Sequence, residues 1–449
     1  MAPFPASLPP MPSVFGVLLF VCFGIANVAR AGNSEDVLAG SDVALTGGAV
    51  VANVQTGGAM WFNPAGVARL DARSVDFTGA VLSYSTINAP GALSLESGDQ
   101  SAGDFSTVQA IPRALTFVAS PRPQLRWGIG FFFSRSRSAF FQDSVTTADG
   151  AAEPAEVFFT ADGSKALYHV SSAVAWKKSD KFLLGGGFDV VIATQRTTEI
   201  ISGGYAGGAG GTFSQNFNRA LSGGGLQIKG GLQWEPIPQV RIGWMAATPS
   251  YLVYLNDAST ETRQISPPGA PPQFDGNQVD ELNGTWTGVE RGLTRLGVAY
   301  VSWWGWLEAD LVVGFPLKSE AFEIDWRTTA DVRVGGIFKL TDRLKLGAGF
   351  FTDFSPDSIP DRFSETQIDF YGLTFGFDFA NREEAPERGE EGFYLAFAVA
   401  FRYAHGKGQL GGLLLQNSFT DPPAQPAEIN RVGIRANEFG VNIAVKASF

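Results

Sequence analysis

Cysteine and histidine are nearly absent from this chain: its 449 residues hold one Cys and two His. Charge is also sparse, at 17% Asp, Glu, Lys and Arg, with 33 basic against 44 acidic residues and a net charge of −11. Each shortage removes a class of function. A lone Cys22 excludes a disulfide framework and thiolate metal clusters. His169 and His405 lie far apart, which argues against a histidine metal site and a Ser–His–Asp triad. A net negative chain lacks the basic footprint of a nucleic-acid binder. No Gly-Lys-Ser/Thr follows the glycine clusters at 185–187, 203–204, 207–208 and 223–225, so they form no phosphate loop and suit close strand packing and bends instead. No catalytic residue, metal, cofactor or nucleic-acid partner is expected, and the chain reads as a non-enzyme.

Long apolar runs are missing except at the N-terminus. Residues 14–28 are almost wholly apolar and are followed by Ala29-Arg30-Ala31, the small-residue pattern of a cleaved secretory leader. The run falls short of the about 20 residues a spanning helix needs. Residues 1–31 are therefore expected to be a signal peptide, although 1–13 contain no Lys or Arg. Its removal would take Cys22 with it. With no other helix-length apolar run, any membrane-spanning form must be a closed β-barrel, because open strand edges cannot be satisfied in lipid.

What the chain has in abundance fits that form: 54 Gly, 37 Phe and 12% aromatics. Period-2 alternation is clearest near the C-terminus. Phe393, Leu395, Phe397, Val399, Phe401 and Tyr403 share one parity, and Tyr394, Ala396, Ala398, Ala400 and Arg402 the other. Phe439, Val441, Ile443, Val445, Ala447 and Phe449 repeat the pattern against Gly440, Asn442, Ala444, Lys446 and Ser448. Leu344, Leu346, Ala348 and Phe350 alternate with Lys345, Gly347 and Gly349, and Trp326, Val332, Val334 and Phe338 oppose Asp325, Arg327, Asp331 and Arg333. The face rich in Phe, Leu and Trp is expected to meet lipid, and the small, partly charged face to line a lumen. Carboxylate pairs such as Glu308/Asp310 and Asp325/Asp331 would belong to that lumen wall. Arg135 and Arg137 fall on the apolar parity of Trp127, Ile129, Phe131 and Phe133, so either the strand has left the membrane there or a bulge shifts its register.

Fourteen strands are predicted, near 73–86, 109–120, 125–142, 166–178, 181–201, 213–235, 239–256, 286–303, 306–316, 322–340, 343–353, 362–380, 392–405 and 436–449. Short links alternate with longer loops at 87–108, 143–165, 202–212, 257–285, 317–321, 354–361 and 406–435, the pattern of short periplasmic turns and long outer loops. An even count returns both barrel termini to the periplasm. The loop 406–435 is unusually apolar around Leu413-Leu414-Leu415, and could meet lipid, lipopolysaccharide or an apolar ligand, or pack on its neighbours. Residues 32–72 do not alternate, yet carry too many apolar side chains for a solvated tail. A fourteen-stranded lumen is too wide for side chains to fill, so this segment is expected to fold inside it as a plug, with 73–449 as the barrel.

The run Gly57-Gly58-Ala59-Met60-Trp61-Phe62-Asn63-Pro64-Ala65-Gly66, preceded by Gly47-Gly48-Ala49, resembles the FadL/TodX family of Gram-negative outer-membrane transporters for long-chain fatty acids and aromatic hydrocarbons. The terminal Phe449 resembles the signal read by the barrel assembly machinery. The resemblance implies a fourteen-stranded all-β barrel with an N-terminal hatch that includes Asn63, Pro64, Ala65 and Gly66. It also implies lateral exit of ligand at a kinked third strand, here one that contains Gly128 and Gly130. Passive uptake of a hydrophobic, fatty-acid-like ligand through the outer membrane is the expectation. A carboxylate head would need a lumen cation, for which Arg327, Arg333, Lys345, Arg402 and Lys446 share the appropriate parity. The alternative is a barrel of the same type that receives protein cargo in secretion.

Overall fold

A computed structural model describes residues 38–449 except 72, 96–97, 147–154, 206–211, 267–272, 285–286, 320–323, 359, 361–365, 382–392 and 416–427. The leader 1–31 with Cys22, residues 32–37, and Gly207-Gly208 lie outside the described residues.

Fourteen antiparallel strands close into one barrel. In chain order they are β1 (Arg73–Asn88), β2 (Asp104–Arg122), β3 (Leu125–Thr146), β4 (Ala155–Ser179), β5 (Phe182–Tyr205) and β6 (Thr212–Ile237). Strand β7 runs through Val240–Ala247 and Ser250–Ser266, and β8 through Gln273–Gly284, Thr287–Glu290 and Leu293–Ser302. The remainder are β9 (Gly305–Gly314), β10 (Thr329–Lys339), β11 (Leu344–Asp353), β12 (Thr366–Ala380), β13 (Tyr394–Leu415) and β14 (Glu428–Ser448). Closure is made by β1 on β14, from Ser74 opposite Ser448 to Asn88 opposite Arg435. A closed ladder is what a sheet needs in lipid, since it leaves no open edge.

The alternation read from the sequence holds in β13 and β14. Leu395, Phe397 and Tyr403 are exposed, while Ala396, Ala398 and Ala400 are buried inward. Phe439 is exposed outside, and Asn442, Ala444 and Lys446 are buried inside. Trp127, Trp176, Trp234, Trp303 and Phe379 ring the exterior near the short-turn end, where amphipathic aromatics favour a membrane interface. Phe375 stands on the outer face and stacks on Phe401 with 5.1 Å between ring centroids. A Phe375→Arg variant should lose about 2–4 kcal/mol, the cost of a cation on the lipid face near the bilayer midplane. Urea titration in liposomes measures this, with Phe375→Leu as the silent control.

The long connections depart from expectation. Parts of 143–165, 202–212, 257–285 and 406–435 continue as strand, so that β3 to β6 reach 22, 25, 24 and 26 residues. Those stretches are rich in polar residues and Gly with only scattered apolar side chains, escape a hydropathy reading, yet still complete the ladder. The apolar end of β13 packs on neighbours: Leu413–Leu415 pair in parallel with Leu93–Leu95, and Leu410 is buried with Val432 and Ile434. Asp421-Pro422-Pro423 lie outside the described residues.

The predicted strand at 322–340 is also corrected. Ile324–Trp326 leaves the wall and forms a small hairpin with Leu317–Ser319, and the barrel strand begins at Thr329. Trp326 is buried rather than lipid-facing: its Nε1 donates to Asp357 Oδ1 at 2.7 Å. Asp325 is exposed on this hairpin while Asp331 is buried in the wall, so the two do not form a lumen pair. The break follows from Arg327-Thr328, which turns the chain between two short alternating runs that together mimic one strand.

Candidate functional site: the lumen face and a break in the wall

Residues 38–70 meet inward-facing side chains from strands around the ring. Helix α1 (Ser41–Thr46) carries Asp42 in its first turn, whose carboxylate accepts Val43 N–H at 2.9 Å, and ends at Gly47 with φ 66°, a left-handed position that suits glycine. Asp42 also accepts the Thr56 hydroxyl and Gln55 N–H, both at 2.6 Å, which closes the 42–56 segment into a loop. Burial holds the Asp42 carboxyl above its usual range, against these hydrogen bonds. Thr374 on β12 donates to Leu45 O at 3.0 Å, and Gly40 N–H donates to Thr78 on β1 at 2.8 Å.

Two wall carboxylates take the backbone of the next turn. Val50 and Val51 N–H donate to Asp310 Oδ2 at 2.8 and 3.1 Å, and Ala52 N–H donates to Glu308 Oε1 at 2.5 Å. Asn63 then joins helix α2 (Ala59–Phe62) to a 3-10 turn over Pro64–Arg69. Its Oδ1 accepts Ala65 N–H at 3.1 Å, and its Nδ2 donates to Val51 O at 2.8 Å and to Leu232 O of β6 at 3.0 Å. Pro64 occupies the first position of the turn, where no N–H is needed. The wall makes room for this motif: a Cβ at Gly231 would overlap Asn63 Oδ1, and one at Gly185 would overlap the Pro64–Ala65 peptide. Inward glycines, read from sequence as strand-packing residues, thus also clear space for the N-terminal segment.

A buried charged network, missed in the sequence reading, surrounds Trp61. His169 on β4 is fully buried; its Nδ1 lies 3.0 Å from Asp189 Oδ2 and its Nε2 3.0 Å from Glu290 Oε2. Lys229 Nζ pairs with Asp189 at 2.5 Å and sits 3.9 Å from the Trp61 ring centroid, a cation–π contact. Arg295, also fully buried, donates to Trp61 O at 2.8 Å and lies 4.8 Å from the Phe62 ring. The missed signal was parity. His169, Asp189, Lys229 and Glu290 each occupy inward positions of their strands and are buried there.

The wall is incomplete beside this network. Strand β3 pairs with β2 only from Leu125 opposite Arg122 to Phe132 opposite Ala114. Among the described residues, no ladder joins 104–113 of β2 to 133–146 of β3; the former pairs with β1 and the latter with β4. The β3–β4 register slips where it was suspected, between Phe133 and Arg135. A bulge bends a strand and increases its local twist, which turns β3 away from β2. Gly128 and Gly130 lie in the paired part below this break, with Gly128 against Met60 of the N-terminal segment.

The five cations do not converge. Arg327 lies outside the wall and donates to Asp357 O at 2.8 Å. Arg333 is buried beside Gly48 and 6.0 Å from the Phe62 ring. Lys345 is buried on β11. Lys446 meets Gln55 O at 3.3 Å and Asp71 at 3.2 Å. Arg402 pairs with Glu438 at 2.9 Å and lies 4.7 Å from the Phe351 ring, a member of an apolar cluster with Ile368, Phe370, Ala404 and Ile434.

No family model and no curated protein sequence matches the chain. Its fold has solved counterparts. A Pseudomonas aeruginosa FadL homologue superposes over 94% of this chain and 99% of its own, with TM-score 0.59 and 14% identity. The P. putida toluene transporter TodX covers 92% of this chain and 98% of its own at TM-score 0.56 and 14% identity. The Ralstonia pickettii toluene transporter TbuX covers 92% and 99% at TM-score 0.55 and 13% identity. At such identities the likeness is one of fold, and the chain has the FadL/TodX-type barrel fold.

Proposed function

We propose that this protein is a passive outer-membrane channel for hydrophobic compounds. Residues 32–72 act as its hatch, and the unpaired stretch between β2 and β3 is its lateral exit. The break in the ladder is the observation that carries the reading, since a water-filled pore has no use for an opening that faces lipid. The named activities of TodX and TbuX, both toluene transporters, support the same direction. In this reading 1–31 is the leader and 73–449 the barrel, with both barrel termini in the periplasm and the long strands towards lipopolysaccharide. Phe449 presents the assembly signal.

Within hydrophobic compounds, the reading assigns long-chain fatty acids. Arg402 supports this assignment: it is the candidate cation that borders an apolar cluster of Phe351, Ile368 and Phe370. Arg333 and Lys446 instead face the N-terminal segment.

The test is oleate binding to the purified mature protein, read by native mass spectrometry and by displacement of a fluorescent fatty acid. Arg402→Gln should weaken oleate about tenfold, the loss of one charge-assisted contact of about 1.5 kcal/mol, and leave toluene binding unchanged. Equal oleate affinity in Arg402→Gln would end the head-group assignment. Failure of the wild type to bind oleate, toluene or any co-purifying lipid would end the channel reading.

A further inference from the structure

We infer that Glu290 couples the hatch to the lateral opening, through the chain of contacts Trp61–His169–Glu290–Ser134; this rests on the hatch and exit assigned above. Glu290 lies on β8, and Ser134 is the residue on β3 at which the register with β4 slips. These strands are not sheet neighbours, since β4 to β7 stand between them. Even so, the fully buried Ser134 hydroxyl donates to Glu290 Oε1 at 3.1 Å. The contact spans the lumen and fastens the edge of the opening to the other side of the barrel. Ser250 donates to the second oxygen, Oε2, at 3.1 Å, and the same oxygen faces His169 Nε2 at 3.0 Å.

His169 carries the connection to the hatch. Its ring meets Trp61 edge to face, with 4.8 Å between centroids and an interplanar angle of 89°. Trp61 also lies 5.6 Å from Phe132, the last residue of β3 that pairs with β2. One hatch side chain therefore touches both the end of the ladder and the imidazole bound to Glu290. Among the described residues Trp61 Nε1 has no hydrogen-bond partner, so the indole is held by ring contacts and by Lys229 over its face. Such a side chain can withdraw without stripping a hydrogen bond from its own ring. Withdrawal uncovers one side of His169 and lets its Nε2 shift about the remaining Nδ1–Asp189 contact, which relaxes the grip of Glu290 on Ser134. Glu290 and Ser134 are positioning residues in this scheme, and neither needs to touch the ligand.

The expected mature chain contains no cysteine, so nitroxide pairs can be placed at will. Val108 on the unpaired part of β2 is 66% exposed, and Gln142 on β3 is exposed across the opening. Electron-electron distances between labels at Val108→Cys and Gln142→Cys, measured without ligand, read the width of the opening. Trp61→Ala should lengthen and broaden that distribution. Ser134→Ala and Glu290→Gln should do the same, and Trp61→Ala should add nothing further in either background. Ser134→Thr, which keeps the hydroxyl, should restore the narrow distribution. An equal shift by Trp61→Ala in wild-type and Glu290→Gln backgrounds would overturn the coupling. So would an unchanged distribution in Ser134→Ala. Because no ligand enters this measurement, the coupling can fail while oleate or toluene binding stands, and the converse also holds.

Discussion

In an Asn63→Ala variant, amide exchange across residues 38–70 should accelerate roughly 30- to 100-fold while the barrel ladders keep their protection. Asn63 is fully buried and spends three hydrogen bonds on joining three places: its own turn at Ala65, the preceding loop at Val51, and the wall at Leu232. Val51 O keeps a second donor, Gln233 Nε2 at 3.2 Å, so it is not orphaned. The loss therefore amounts to about 2–3 kcal/mol, the cost of the buried Ala65 N–H left unmet together with a smaller loss at the part-buried Leu232 O. Asn63→Asp separates the contributions, because it keeps the acceptor for Ala65 N–H and loses both donors. Exchange in Asn63→Ala at the wild-type rate would mean that the segment is held by apolar packing alone.

A larger effect is expected at Asp310. One of its oxygens accepts two backbone N–H groups, those of Val50 and Val51. Asp310→Ala leaves both donors in a site that is closed to water, at about 1–3 kcal/mol each, or about 2–6 kcal/mol together. Asp310→Asn keeps one oxygen in place and should lose far less. The readout is cleavage by chymotrypsin after Trp61 or Phe62, bonds that are buried while the segment stays docked. Rapid cleavage in Asp310→Ala, with slow cleavage in Asp310→Asn and wild type, is the expected order. Indistinguishable Ala and Asn variants would show that this carboxylate does not hold the segment.

The barrel was legible in the sequence wherever lipid enforces a pattern. Phe397, Phe401 and Phe439 announce their strands because every second residue must be apolar at that depth. Beyond the bilayer both faces of a strand meet water, the constraint lapses, and the outer ends of β3, β4, β7 and β8, at 143–146, 155–165, 257–266 and 273–284, read as loops. Trp326 and Arg327 failed for the opposite reason: a short hairpin carries the same period as a strand, and periodicity cannot say which neighbour it pairs with. Of the lumen, Asn63 was legible through its motif. His169 and Glu290 were not, because Glu290 comes from β8, four strands on from His169 on β4, and only the folded lumen brings the two together.

The long β3 to β6 have one more consequence. At about 3.3 Å per residue, 22–26 residues reach about 70–85 Å, well over twice the about 30 Å hydrocarbon layer even before tilt is counted. Their far ends combine polar pairs, Thr198–Asn218 at 3.0 Å and Arg219–Asp257 at 3.0 Å, with buried apolar side chains at Val145, Val157 and Phe159. An exposed pair such as Thr198–Asn218 contributes little. The ladders therefore continue well past the hydrocarbon layer, and whatever approaches the mouth meets paired strands rather than loose loops.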